Sequence, residues 1–245
     1  MSSPFFSIIV PTFNVADVIA ACLASIRRQT CADFEVLIMD GESKDKTVEI
    51  VSRLANEFGG RMFVHCKKDT GVYDAMNQGI SLAKGEWLYF LGADDRLHET
   101  DVLEKVAAGI QTRPDAGLVY GDVILRSDSS RYAGVFDLKR ILHEKNICHQ
   151  AIFYRRTVFN KIGGYNLQYR IWADWDLNIR CFQHPDLAHS HLDLVVADYN
   201  DRSGVSRVED PEFRKLLPVF TKRDRRFGRV LRRKIASWFW AMTGG

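Results

Sequence analysis

Two adjacent carboxylates, Asp94 and Asp95, follow the apolar stretch Trp87-Leu-Tyr-Phe-Leu-Gly-Ala. Like charges side by side repel. They coexist around a divalent cation, over a shared proton, or hydrated in a turn. Further acids stand in comparable places: Asp40 ends an apolar run, Asp45 lies in the loop after it, and Asp69 precedes a glycine. A solitary group of interest, Asp174, sits between aromatic residues in Trp172-Ala-Asp-Trp-Asp176. A carboxylate in the first turn of a helix accepts free backbone N–H groups, so Asp174 and Asp176 are both expected to serve as caps and to stay ionised.

The elements that must position these groups are legible from apolar spacing. Residues 6–10 read as a buried strand ended by Pro11, which lacks a ladder N–H. Ile19, Cys22, Leu23 and Ile26 recur at helical spacing, with Asn14 or Asp17 as the expected cap. Strands over 34–39, 61–65 and 87–91 alternate with helices built on Val48, Val51 and Leu54, and on Val72, Met76 and Ile80. That alternation predicts an α/β/α three-layer sandwich with a mostly parallel central sheet. Its loops after the strand ends put Asn14, Asp40, Asp45, Asp69, Asp94 and Asp95 on one rim.

Beyond residue 100 the pattern predicts a helix over 101–110, strands over 118–125 and 132–136 that pair antiparallel, a strand over 151–154, a helix from Asp174, and a last strand over 192–199. Asp122 either faces the cleft or is a strand-edge acid. His149-Gln150 precedes a strand. Tyr73 and Met76 are read as core. The expected organisation is one domain over 1–215, with halves of about 1–100 and 101–215, followed by a tail over 216–245.

Composition excludes several classes. No G-x-G-x-x-G follows the first strand and no G-x-x-x-x-G-K-[ST] occurs, which disfavours a dinucleotide oxidoreductase and a P-loop enzyme. Five scattered cysteines and no signal-like start predict reduced thiols and a cytoplasmic setting. The net charge of +3 is uneven: residues 221–234 hold eight Lys or Arg against one Asp, leaving the remainder at about −4. An acidic body argues against nucleic acid as a partner.

Four segments in this order resemble family 2 glycosyltransferases of the GT-A fold. They are Ser7-Ile-Ile-Val-Pro-Thr-Phe-Asn14, Val36-Leu-Ile-Met-Asp-Gly-Glu-Ser-Lys-Asp-Lys-Thr47, Asp69-Thr-Gly-Val-Tyr-Asp-Ala-Met-Asn-Gln-Gly79 and Ala93-Asp-Asp95. The resemblance spans about residues 5–206 and weakens after about 125, and it implies a nucleotide-binding half over about 1–100 and an acceptor half over about 101–215. It implies an inverting transfer from a nucleotide-diphospho-sugar, UDP-linked by expectation, to a hydroxyl of a glycan or lipid-linked saccharide. It implies Pro11 beside the nucleoside, Asp40 at the base, Asp69 near it, Asp94 at the ribose or donor sugar, and Asp95 on Mg²⁺ or Mn²⁺. His149 and Arg202 are implied near the diphosphate and acceptor, and Asn77 as an anchor between helix and loop. Relatives carry a Glu-Asp pair whose Asp is the catalytic base; here it reads Ala173-Asp174. Relatives also have Asp-Gly where this chain has Gly41-Glu42. A catalytically inert sugar-nucleotide binder and a nucleotidyltransferase of related fold are the alternatives.

The tail carries Phe227, Leu231, Ile235, Trp238 and Met242 at helical spacing between basic flanks. A helix over 229–242 is expected on an anionic membrane surface, making the protein peripheral on the inner face of a bacterial cytoplasmic membrane. Docking on its own domain and a dimer contact are the alternatives.

Overall fold

The computed structural model describes residues 3–202 and 210–215. A nine-stranded sheet forms its centre. The strands are β1 (Phe6–Thr12), β2 (Phe34–Asp40), β3 (Met62–Cys66), β4 (Trp87–Phe90), β5 (Arg96–Leu97), β6 (Ala116–Leu125), β7 (Arg131–Tyr132), β8 (Ile152–Arg155) and β9 (Ala188–Tyr199). Their order is β3-β2-β1-β4-β8-β6-β9-β5, with β7 paired to β6. Strands β1 to β4 are mutually parallel, β8 runs against β4 and β6, and β9 is parallel to β6. The expected mostly parallel α/β architecture is therefore present, with antiparallel strands concentrated in the second half.

Side chains alternate across the sheet as strand geometry requires. Phe6, Ile8 and Val10 of β1 join one apolar layer, and Ile9 joins the other. The first layer is closed by the helices α1 (Ile19–Arg27), α2 (Thr47–Ala55) and α4 (Val102–Gln111) through residues such as Leu23, Val51 and Val106. The second is closed by α3 (Val72–Leu82), α5 (Leu138–His143), α6 (Thr157–Ile162) and α7 (Ala173–Gln183) through Met76, Ile141, Val158 and Leu177.

Several local expectations change. Pro11 does not end β1; it pairs with Met39 and Thr12 pairs with Asp40. The Ile9 carbonyl, which accepts from Leu91, shows that odd residues of β1 face β4. Since β4 ends at Phe90, the missing Pro11 N–H costs no ladder bond. Neither Asn14 nor Asp17 caps α1, whose N-cap is Val18 without a side-chain bond. Asn14 instead accepts from the Lys44 N–H at 2.8 Å. The strand expected over 132–136 stops at Tyr132. The Asp122 carboxylate takes the Gly134 N–H at 3.0 Å, and Gly134 has φ +111°, so the chain turns away from β6. Asp122 is thus a structural acid: it is buried and bonded to Arg131 and, at 2.9 Å, to His191. The organisation of residues 216–245, including the helix expected over 229–242, lies outside the described residues.

Candidate active site

Strand polarity explains why one edge collects so many polar groups. The C-terminal ends of β1, β2, β4, β6 and β9 share it. Because β8 runs the opposite way, its lead-in, a 3₁₀ turn at His149–Ala151, reaches the same edge. A cleft of about 950 Å³ opens there. Its lining includes Pro11, Asp94, Asp95, Gln150, Asp174 and Asn200.

Asp95 forms the floor of one end. It is 1% exposed, and its carboxylate accepts the Asn200 backbone N–H at 2.7 Å and the Gln150 side-chain amide at 2.8 Å. Burial pushes its pKa up to about 7, with the neighbouring Asp94 charge adding to the rise, while the Asn200 and Gln150 bonds and Arg126 oppose it. The Asn200 side chain also holds Asp94, at 2.8 Å. Residue 92 must be glycine for this geometry, because a Cβ there would collide with Asp95 Oδ2 and come within 3.2 Å of Asp94 Oδ1.

These two carboxylates form a hard-oxygen donor set under a backbone with room only for glycine. Such a set suits Mg²⁺ or Mn²⁺, which keep water and phosphate among their ligands. Among the described residues no three His, Cys, Asp or Glu side chains converge as a closed protein cage. The fit is to a cation that takes further ligands from outside the protein.

Asp174 stands at the other end of the cleft, on the first turn of α7. It does not act as the cap; the N-cap is Trp172. Instead Tyr73 Oη donates to Asp174 Oδ1 at 2.8 Å and Asn146 Nδ2 donates to Oδ2 at 2.8 Å. Burial raises its pKa to about 6 against those two bonds. The low-pKa acid expected from a helix N-terminus is therefore replaced by one that titrates near neutrality, because desolvation outweighs the first-turn N–H groups. Tyr73 also contacts the Ile171 carbonyl. A phenol has one proton and can accept one. With Asp174 ionised, that proton serves the carboxylate. With Asp174 protonated, the acid can donate to Tyr73 while the phenol turns to Ile171. The pair is satisfied in both states.

The remaining residues fall around this frame. Asp40 is buried and already accepts from Thr12 Oγ1, the Ser43 N–H and Ser43 Oγ. Asp69 takes the Gly71 N–H at 2.9 Å and lies against Gly41, where a Cβ would meet its Oδ2 at 2.6 Å; burial raises its pKa. Neither is among the residues lining the cleft. The His149 ring lies among Phe90 and Tyr165, both ring nitrogens are covered without a protein partner, and burial pushes it down to about 4. It is a neutral imidazole facing other rings. Arg202 donates to the Ser127 carbonyl at 3.1 Å and lines a separate depression with Arg96 and Arg126. Asn77 bridges to both backbone groups of Tyr165, at 2.9 and 2.8 Å, which is the expected anchor.

Four participants carry roles the sequence did not show. Tyr73 is buried, but its hydroxyl holds Asp174. Gln150 points at Asp95 instead of at open space. Asn146 and Asn200 are plain loop residues in the sequence. The only signal for Asn200 is that it directly follows the last strand.

The family described as Glycosyl transferase family 2 matches residues 7–163. The PGL/p-HBAD biosynthesis glycosyltransferase of Mycobacterium bovis (strain BCG / Pasteur 1173P2) is 55% identical over 223 residues, covering 91% of this chain and 87% of that protein. Among solved structures, S. aureus TarS 1-349 in complex with UDP-GlcNAc has a TM-score of 0.66 at 21% identity, over 84% of this chain and 60% of TarS 1-349. Mannosyltransferase PcManGT from Pyrobaculum calidifontis, in complex with GDP-Man and Mn²⁺, has a TM-score of 0.62 at 22% identity, over 80% of this chain and 56% of its own. This chain thus spans well under two thirds of either solved structure, and at such identities the likeness speaks to fold. With the family match covering more than half of its length, the chain belongs to glycosyl transferase family 2.

Proposed function

We propose that this chain is an inverting, metal-dependent glycosyltransferase that moves a sugar from a nucleotide-diphospho-sugar to a hydroxyl of a glycan or lipid-linked saccharide. The observation that carries this reading is the pair of unlike carboxylate sites in one cleft. Asp95 has the charge of Asp94 beside it, and the pair favours positive charge, whereas Asp174 has no acid among the causes of its shift and is paired with a phenol.

In this reading the donor diphosphate lies toward Asp94 and Asp95. A divalent cation held by Asp95 would supply neutralisation of the charge on the departing diphosphate. Asp174 accepts the proton of the acceptor hydroxyl as that oxygen bonds to the anomeric carbon. The glycosidic bond to the nucleoside diphosphate breaks in the same step, which inverts the centre. Tyr73 and Asn146 orient the carboxylate. Pro11, Asp40 and Asp69 are assigned to the nucleoside side, His149, which lines the cleft, to the region of the diphosphate and acceptor, and Arg202 to charge compensation near the phosphates.

TarS and PcManGT were solved with different nucleotide bases, so the choice of UDP here rests on motif resemblance. The name of the 55%-identical relative supports a biosynthetic role. Among the described residues no helix is long and apolar enough to cross a membrane. Attachment to an anionic membrane surface is assigned to residues 229–242.

The deciding experiment is a donor screen with the purified full chain. UDP-, GDP- and TDP-sugars are supplied with Mn²⁺ or Mg²⁺ and pooled saccharide acceptors, and nucleoside diphosphate release is measured. Metal-dependent release of UDP is the expected result. Saturable donor binding without release under any condition would assign the protein to the inert binders.

A further inference from the structure

The two ends of the cleft differ in kind. Around Asp95 the wall is made of acids and amides. Around Asp174 it is made of rings: Trp172 and Trp175 flank it on the chain, and Tyr132 stands in the same lining. We propose that Trp172 and Trp175 form the acceptor subsite and seat one pyranose ring with a hydroxyl directed at Asp174. This assignment rests on the transferase reading given above.

Three observations support it. First, the aromatic pair is rigid. Trp175 Nε1 donates to the Ile141 carbonyl at 2.8 Å, so its polar atom is used and its ring remains for contact. The two indoles are 5.4 Å apart and both pack on the buried ring of Phe213, at 5.8 and 5.5 Å. Aromatic surface held this way contributes contact without losing side-chain freedom on binding. Second, the indoles meet at 59°. Parallel rings make a slot for a flat ligand. A corner suits a chair-shaped ring, which presents C–H groups on its faces. Third, Glu144, Lys145 and Asn146 line the same cleft, and Asn146 bonds Asp174 at 2.8 Å. A pyranose carries hydroxyls around its edge, and such groups fix orientation in an otherwise apolar pocket. Asp174 and both tryptophans line the same cleft, so a ring seated there shares it with the base.

The test uses titration calorimetry on the full chain with methyl pyranosides of glucose, galactose and mannose, phenol as the flat-ring comparison, and UDP as the donor-side probe. Wild-type protein is expected to bind at least one methyl pyranoside saturably. Trp172→Ala should weaken that binding ~10-fold or more, Trp172→Phe should restore most of it, and both should bind UDP as wild type does. Thermal melts establish that each variant is folded. No saturable pyranoside binding by wild type overturns the proposal, as does equal binding by Trp172→Ala, or a preference for phenol over every pyranoside. Loss of UDP binding in wild type, with pyranoside binding retained, would overturn the donor assignment and leave the saccharide subsite standing.

Discussion

Asp95 and Asp174 are both acids made less acidic by burial, yet their surroundings prepare them for different partners. Asp95 has a second carboxylate beside it, and that neighbour raises its pKa further. Its bonds come from a backbone N–H and a primary amide, groups that only donate here. In the proposed reading, the negative charge of the pair favours a cation. Asp174 has no adjacent acid among the causes of its shift, and one of its partners is a phenol that can donate or accept. On the proposed reading, the same desolvation serves a cation holder at one site and a proton acceptor at the other. The second neighbour decides which.

The largest effects should come from breaking this division directly. Asp174→Asn keeps the size and the bond to Tyr73 but cannot take a proton. Transfer should fall by ~10²-fold to ~10⁴-fold, the range for losing a general base, with donor affinity close to wild type. Asp95→Ala should show the opposite split, losing metal-dependent donor binding as well as turnover. Steady-state rates combined with UDP titrations in the presence of Mn²⁺ separate the two. If Asp174→Asn lost donor affinity and kept its rate, the roles would be reversed.

How much of this was readable in advance follows the range of the forces involved. The alternation of apolar runs showed four of the five strands of the first hundred residues, because buried parallel strands and amphipathic helices write their period locally, whereas the two-residue β5 is too short to have one. Asp94, Asp95 and Asp174 were readable as candidates because carboxylates after an apolar run or beside a helix start are conspicuous. Their proton affinities were not. The sequence reads Asp174 as an ordinary ionised cap; burial under the folded chain raises its pKa to about 6, even though Tyr73 of α3 and Asn146 of the loop before β8, 101 and 28 residues away, donate to it and oppose the rise. Tyr73 looked like core for the same reason: its ring is buried, and only the fold shows where the hydroxyl ends. The short β7 was misjudged because a side chain, Asp122, replaces a ladder bond.

A smaller effect sharpens the account of Asp174. The Tyr73 bond lowers the Asp174 pKa against burial. Tyr73→Phe removes that bond and leaves the ring. Asp174 should then titrate higher than about 6. Since the base must be ionised, activity should be lost as pH falls through that value, and the acid limb of kcat/KM should move to higher pH by roughly one unit. At pH 8 the rate should drop only modestly. A pH–rate profile of wild type and variant checks this. An unmoved limb with a uniformly lower rate would make Tyr73 a packing residue.

The smallest effect concerns stability in the absence of metal. The fold holds the Asp95 pKa near 7, above the ordinary carboxylate value of 3.8. The folded chain therefore binds this proton more tightly than the unfolded one. On lowering pH from 8, the folded state starts to gain near pH 7, and the gain is complete below the unfolded value near 4. The full span is at most about 4 kcal/mol, and other groups titrating below pH 6 will obscure the lower part. The window from pH 8 to 6 is the useful one. Chelator-treated wild type should show a Tm rising as pH falls across it, beyond any rise in Asp95→Asn, whose amide has no proton to bind. At pH 8 the Asn variant should melt a few degrees higher, since it carries no buried charge beside Asp94. Mn²⁺ should raise the wild-type Tm and leave that of the variant nearly unchanged. Equal pH slopes for the two proteins would show that the Asp95 carboxylate is neither strained by burial nor held ready for a cation.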